Sequence, residues 1–169
     1  MSIEIRVKLL RDAAIVYGEG DPEQALAGLT PATSHSVGID LRACLEGADE
    51  IVIEPGGRFP VGSGLSIEPV MAEGAPGVTP AVAGFVYSRS GLGAKHGLVV
   101  AQGVGVIDPD YRGEIIVWLL NTSKTAIKVH QGDRMAQLVF LNYHQPAFQI
   151  VHELGETQRG AGGFGHTGK

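Results

Sequence analysis

Apolar and polar residues alternate, or short apolar runs stand alone, at residues 3–10, 39–45, 51–54, 65–68, 82–87, 98–101, 104–107, 115–120, 127–129, 135–142 and 148–152. Gly, Pro, Asn and Asp punctuate nearly every gap between them. A period of two marks a half-buried strand, and the turn residues mark where strands end. So many short strands predict an all-β chain of the sandwich, barrel or jelly-roll kind, the antiparallel designs that hide their sheet edges. Helical periodicity is nearly absent. One short helix is predicted over residues 92–96, entered through Ser90-Gly91 and closed by Gly97. Segments 12–29 and 71–80 read as exposed loops or insertions, the first with no more than a weak helical turn at residues 22–27.

Composition narrows the picture. A length of 169 residues suits one domain with one core. Glycine fills 25 positions, which fits a chain rich in turns. Cys44 is the only cysteine, so an intrachain disulfide and a cysteine-based zinc cluster are excluded, and its neighbours Ala43 and Leu45 suggest a core filler. The six histidines lack metal-ligand spacing. A net charge of -5 argues against nucleic-acid binding, which needs a basic face to neutralise phosphates. Residues 1–8 alternate where a secretory leader would be continuously apolar, and no apolar run reaches the roughly 18 residues of a membrane span. A cytoplasmic protein without a membrane partner is the expectation.

Five segments carry candidate chemistry. The most informative is Ile107-Asp108-Pro109-Asp110-Tyr111-Arg112-Gly113-Glu114, two carboxylates, an aromatic ring and a glycine at the mouth of the apolar run 115–120. Alone it is also an ordinary acidic turn. Ser88-Arg89-Ser90-Gly91 joins a cationic fork, a hydroxyl and a residue without Cβ, which suits an anion as well as it suits a capped helix. Residues 97–107 read as a β-hairpin whose glycines, Gly103 and Gly105, leave room for a ligand against the backbone. Asp40, in Gly38-Ile39-Asp40-Leu41, and Gln137, in Gly132-Asp133-Arg134-Met135-Ala136-Gln137, are ordinary strand residues by spacing alone. The glycine-rich stretch from Gly155 onward has the make-up of a disordered terminus, except for Phe164 between Gly163 and Gly165 with Arg159 upstream.

In this order and spacing the five segments closely resemble the motifs of the trimeric deoxyuridine triphosphate nucleotidohydrolases, the dUTPases, from before Asp40 to the last residues. The resemblance implies a distorted jelly roll, with residues 1–154 as a single β domain and residues 155–169 as a flexible arm that closes over an active site. It implies hydrolysis of dUTP to dUMP and pyrophosphate with Mg2+, in a homotrimer with shared sites. Asp108 would activate the water that attacks the α-phosphorus. Arg89, Ser90, Gly91 and Gln137 would surround the triphosphate. The segment with Gln102, Gly105 and Ile107 would hold uracil, Gln102 standing where the family often has asparagine. Tyr111 would pack under deoxyribose and exclude a 2'-hydroxyl. Asp40 would hold the magnesium only through water, the direct ligands coming from substrate phosphates. Arg159 and Thr167 would reach the terminal phosphate, Gly165 and His166 would lend backbone groups, and Phe164 would stack on the base. Asp110, Arg112 and Glu114 fit structural or intersubunit roles better.

Two positions depart from the family pattern: Tyr87-Ser88 precedes Arg89 where proline is usual, and His166 replaces a frequent serine. Two other functions stay open on the same fold. A dCTP deaminase-like enzyme would need Arg-Ser-Ser and a catalytic glutamate, where this chain has Arg89-Ser90-Gly91 and a glycine-rich tail. A nucleotide-sensing regulatory protein would keep the pocket and use another segment, such as 12–29, to meet a partner.

Overall fold

A computed structural model of the chain describes residues 3–70 and 81–163. The segment 71–80, read from sequence as a loop, and the arm residues Phe164, Gly165, His166 and Thr167 lie outside the described residues. The described part is mainly β, with eleven strands: β1 (Ile5–Leu9), β2 (Ile39–Arg42), β3 (Glu50–Ile53), β4 (Arg58–Gly62), β5 (Leu65–Pro69), β6 (Ala81–Tyr87), β7 (Leu98–Val100), β8 (Val104–Ile107), β9 (Ile116–Asn121), β10 (Ile127–His130) and β11 (Arg134–Tyr143). They form four antiparallel sheets, β2-β11-β6-β8, β4-β9-β7, β1-β5 and β10-β3. The all-β jelly-roll expectation holds.

Alternation builds the core. In β9, Val117, Leu119 and Asn121 are buried while Ile116 and Trp118 face outward. Val61 of the neighbouring β4 and Ile115 just before β9 join Val117 and Leu119, as do Leu41, Ile53, Leu65, Val129 and Met135 from the other sheets. Cys44 is a core filler as expected, 2% exposed, and burial pushes its thiol up from the ordinary range. The buried Asn121 keeps its polar atoms paired, donating to the carbonyls of Ile53 and Thr125 at 2.8 Å each and accepting from Ser123. That satisfies the rule that a polar group leaving water must keep its hydrogen bonds.

Four local readings are corrected. Segment 12–29 is not an exposed loop: it forms α1 (Ala13–Gly18) and α2 (Pro22–Gly28), and Ala13, Tyr17 and Ala25 are buried in the core. Asp21 caps α2 by accepting from Glu23 N at 2.9 Å, with Pro22 at the first helical position. The helices pack so closely that a Cβ on Gly18 would run into the Ala25 backbone and one on Gly28 into the Tyr17 carbonyl. Strand β4 escapes the pattern because Pro60 interrupts it, and it lies at the edge of its sheet, where a missing N–H is tolerated. Residues 148–152 form no strand, having no neighbour to pair with, and Ile150 is fully exposed. Finally, β7 and β8 are not a two-stranded hairpin. β7 pairs with β9 and β8 with β6, so the Ala101–Gly103 turn is a corner between two sheets, closed by Gly103 N donating to Val100 O at 3.0 Å with Gly103 at φ 83°.

The helix pair is bonded to the sheet it covers. Tyr17 Oη accepts from the Arg42 amide at 2.9 Å, supplying the edge strand β2 with a partner that no neighbouring strand provides there. Burial pushes the phenol well above its ordinary range, so the hydroxyl keeps its proton and can return it toward the Arg42 carbonyl. Tyr17→Phe leaves that amide without its acceptor and is expected to cost about 1–3 kcal/mol. The denaturation midpoint at fixed chain concentration, with an unchanged denaturant slope, checks this.

Candidate active site

The predicted helix at Leu92–His96 is present as a single π-helical turn, and it stops at Gly97 with φ 75°. A Cβ at Gly97 would lie 3.0 Å from Ser123 N, so the left-handed residue is also a close approach. Just before this turn, β6 ends and Arg89 leaves the sheet. Its Nε donates to Asp40 Oδ1 at 2.8 Å, and Arg134 Nη1 stands 3.5 Å from Asp40 Oδ2. Both carboxylate oxygens of Asp40 are therefore engaged by cations. Gln137 on β11 stands opposite Asp40 of β2 on one side and Tyr87 of β6 on the other, and its Nε2 donates to Ser88 O at 3.0 Å. Gly38 leaves room for that amide, since a Cβ there would collide with Gln137 Oε1. The Ser88 hydroxyl accepts from Val100 N at 2.8 Å, which fastens the start of the Arg89 loop to β7. A hollow of about 240 Å3 beside this cluster is lined by Arg89, Lys128, Asp133 and Arg134 among others.

Asp108 and Tyr111 occupy a second patch. Tyr111 N donates to Asp108 O at 3.1 Å, closing the turn, and Tyr111 Oη donates to Glu114 O at 3.0 Å. The ring folds over Gly113, where any Cβ would strike it. Arg112 Nη1 donates to Pro109 O at 2.6 Å and its Nη2 reaches Glu68 at 3.2 Å, while Glu114 is paired with Arg11. Arg112 and Glu114 thus hold the turn, as the sequence suggests. Asp108 is exposed and lines an open cleft of about 580 Å3 with Ala83, Phe85, Val106 and Tyr143. Gln102 lines a different hollow with Arg58, Ala101 and Trp118, and Gly105 approaches its Nε2 so closely that a Cβ would stand 3.3 Å away.

The two patches do not meet within one chain. Ile107 is in register with Gly84, whereas Val104 pairs with Tyr87, which in turn pairs with Gln137. Asp108 follows Ile107 at one end of this ladder, and Arg89, Asp40 and Gln137 stand at the other. Four strand residues at about 3.3 Å each put roughly 13 Å between the ends, too far for a catalytic carboxylate and its phosphate cradle to act on the same atom. Gln102 lies beyond the β8 end nearer Arg89, and Ser90 and Gly91 remain exposed next to Arg89. Arg159 is exposed, its Nε donating to Gly162 O at 2.8 Å. Among the described residues, no three His, Cys, Asp or Glu side chains converge as a metal cage.

The dUTPase family model matches residues 25–168. The chain belongs to the dUTPase family. It is 47% identical over 137 residues to the deoxyuridine 5'-triphosphate nucleotidohydrolase of Pseudomonas fluorescens (strain SBW25), a match spanning 81% of this chain and 84% of that protein. In fold it is similar to a variant of the Staphylococcus bacteriophage 80alpha dUTPase with dUpNHpp, at a TM-score of 0.75 and 20% identity over 98% of this chain and 99% of the other. A variant of the dUTPase from phage phi11 of S. aureus, described for the coordination of a structural Mg(II) ion, superposes with a TM-score of 0.67 at 20% identity, covering 90% of this chain and 99% of that one. The five segments alone carry the resemblance to the same family. Arg11, paired with Glu114, sits outside every segment and outside the matched range.

The packing of Tyr111 over Gly113 can be tested without chemistry. Gly113→Ala is expected to push the phenol ring off Glu114 O, visible as a large shift of the Tyr111 ring resonances. The turn is exposed, so stability should fall by no more than about 1 kcal/mol.

Proposed function

We propose that this dUTPase-family chain hydrolyses dUTP to dUMP and pyrophosphate, by attack of water on the α-phosphorus. The observation that carries this is the 47% identity to a deoxyuridine 5'-triphosphate nucleotidohydrolase across 81% of the chain. Supporting it, the turn holding Asp108 and Tyr111 is closed by its own hydrogen bonds rather than loosely exposed. Asp108 accepts a proton from the attacking water as the new P–O bond forms and the bond to the pyrophosphate oxygen breaks. Arg89 neutralises the phosphates, and Ser90 donates to the bridging oxygen as charge develops there. Gly91 lets the phosphates approach the backbone, with Gln137 beside them. The corner at Gln102, Gly105 and Ile107 receives uracil, and the Tyr111 ring closes the space a 2'-hydroxyl would need.

Mg2+ fits this site in one way. Asp40 has both oxygens tied to Arg89 and Arg134, and the described residues offer no acidic cage. That suits an ion that keeps its waters and takes direct ligands from substrate phosphates. When bound, the ion would offset phosphate charge and help align the leaving group. Asp40 would hold it through water.

The roughly 13 Å gap between the Asp108 patch and the Arg89 patch supports a site shared between subunits, with Asp108 from one chain and the phosphate cradle from another. Outward apolar side chains favour assembly: Ile116 is 50% and Trp118 47% exposed on one sheet face, and Val106 is 59% exposed beside Asp108. A homotrimer of the family type is the assembly proposed. Residues 155–169 form the arm, with Arg159 and Thr167 at the terminal phosphate, Gly165 and His166 lending backbone groups and Phe164 over the base. Its closure excludes water and strengthens the electrostatics inside.

Pyrophosphate release from dUTP, with ammonia release from dCTP measured in parallel, separates this reading from a deaminase, and the absence of either product would favour a nucleotide-sensing protein. Asp108→Asn is expected to keep nucleotide binding and lose turnover by 10²-fold or more, on the order of a general base's contribution. Near-normal turnover would remove Asp108 from that role. The shared site has its own test. Asp108→Asn chains and Arg89→Ala chains, each inactive alone, are expected to regain activity when subunits are exchanged, since about a quarter of randomly assembled sites then combine an intact Asp108 with an intact Arg89. Demonstrated exchange with no regain would require a site within one chain.

A further inference from the structure

Glu114 is the least exposed carboxylate of the Asp108 patch, with its side chain 13% exposed. A carboxylate so far from water needs full pairing. One oxygen accepts from Gly64 N at 2.7 Å, and Arg11 closes a two-pronged fork on the same group, Nη1 donating to Oε2 at 2.7 Å and Nη2 to Oε1. The backbone of Arg11 is held in the left-handed region at φ 47°, a conformation that a residue with a Cβ adopts only when its surroundings compel it. Leu10 N donates to Gly64 O at 2.8 Å, anchoring the same corner from the other side. Gly62 completes the enclosure, because a Cβ there would strike Glu114 Oε1 and lie 2.6 Å from Arg11 Nη2.

The other end of Glu114 faces the chemistry. Its carbonyl accepts the Tyr111 hydroxyl, and Ile115, the next residue, is completely buried. Arg11 thus grips the residue that sets where the Tyr111 ring lies. Arg11 precedes residue 25, where the family match begins, so this grip is a contribution of the chain's own N-terminal segment. We propose that Arg11 is a positioning residue for sugar discrimination: through Glu114 it holds the Tyr111 turn rigid, so that the ring excludes a 2'-hydroxyl. The inference rests on the dUTP-hydrolase reading and adds to it a part played from outside the motifs.

The test uses the full-length protein and three variants, Arg11→Met, which keeps an apolar stem, Arg11→Lys and Tyr111→Ala. Two readouts are taken, the ratio of kcat/KM for dUTP over UTP and amide hydrogen exchange across residues 109–115. Arg11→Met is expected to speed exchange in that turn about tenfold while leaving the amides of β11 protected, and to lower the dUTP over UTP ratio about tenfold. Arg11→Lys should recover part of both, because an ammonium restores the charge but not the fork. Tyr111→Ala should collapse the ratio whatever the state of Arg11. Unchanged exchange in Arg11→Met overturns the grip itself. Faster exchange with an unchanged ratio, while Tyr111→Ala collapses it, overturns the positioning role and leaves only a structural pair. A wild-type protein that does not cleave dUTP would instead sink the parent reading, with the exchange measurement still deciding whether Arg11 holds the turn.

Discussion

The pairing of β11 between β2 and β6 is the constraint on which the rest of the structure depends. Its register puts Gln137 opposite Asp40 on one side and opposite Tyr87 on the other, so the strand carrying Asp40 and the strand ending at Arg89 are locked side by side. A slip of β11 by one residue would turn Gln137 inward, away from Asp40, and bring buried Leu138 out into water. The register is fixed by burial on the core face, where Met135, Ala136 and Leu138 are closed off. It is adjusted by the irregularity between Arg134 and Ala136, which changes the strand's aim just where Arg134 must turn toward Asp40. Through β6 the same ladder also sets β8, and with it the position of Asp108.

How much of this was legible in the sequence follows from what each signal depends on. The alternation of β1, in which Arg6 and Lys8 face water and Ile5, Val7 and Leu9 face the core, is a local property and is read directly. So is the end of the short helix at Gly97, where only a residue without Cβ fits well. Helix α1 leaves no clear periodic signal because its buried face is made by Ala13 and Tyr17, packed in one core with Ala25 of α2, and no single window of periodicity contains both very short helices. Pro60 hides strand β4, and the corner after β7 reads as a hairpin because two adjacent strands with a glycine turn look alike in sequence whether or not they share a ladder. The family's motifs gave the candidate residues, yet not their grouping. That Asp40 is held between Arg89 and Arg134 depends on segments 49 and 94 positions apart. The Arg11–Glu114 fork, spanning 103 positions, leaves no local trace at all.

The ion pairs of the site differ in what they can contribute. Arg89–Asp40 and Arg11–Glu114 are partly shielded, whereas Lys128–Glu50 lies in the open, and its main effect is to hold the Glu50 carboxyl below its ordinary range. Pairs exposed like the last are screened by salt and add little to stability. The shielded ones matter for direction. Arg89 is a fork whose Nε is committed to Asp40 and whose Nη1 reaches Arg134 O at 3.5 Å, so the guanidinium is held in place before an anion arrives. In the proposed mechanism this is preorganisation, a cation fixed before the substrate arrives.

The separation of Asp108 from Arg89 gives the fold a further property. A strand ladder is stiff, so no local motion of the chain can bring its two ends onto one phosphorus atom. Under the shared-site reading, complementarity to the transition state is therefore built by the interface and not by the subunit. The exposed Val106 beside Asp108, and Ile116 and Trp118 on the neighbouring sheet, would then serve two ends at once, burying apolar surface and setting the distance between carboxylate and cradle. Packing errors in such an interface would register as lost turnover before they registered as lost fold, since each chain already closes its own core around Leu41, Ile115 and Leu119. A turn held from within its own chain, as Glu114 is held by Arg11, would then be the fixed reference against which a partner's phosphate cradle is aligned.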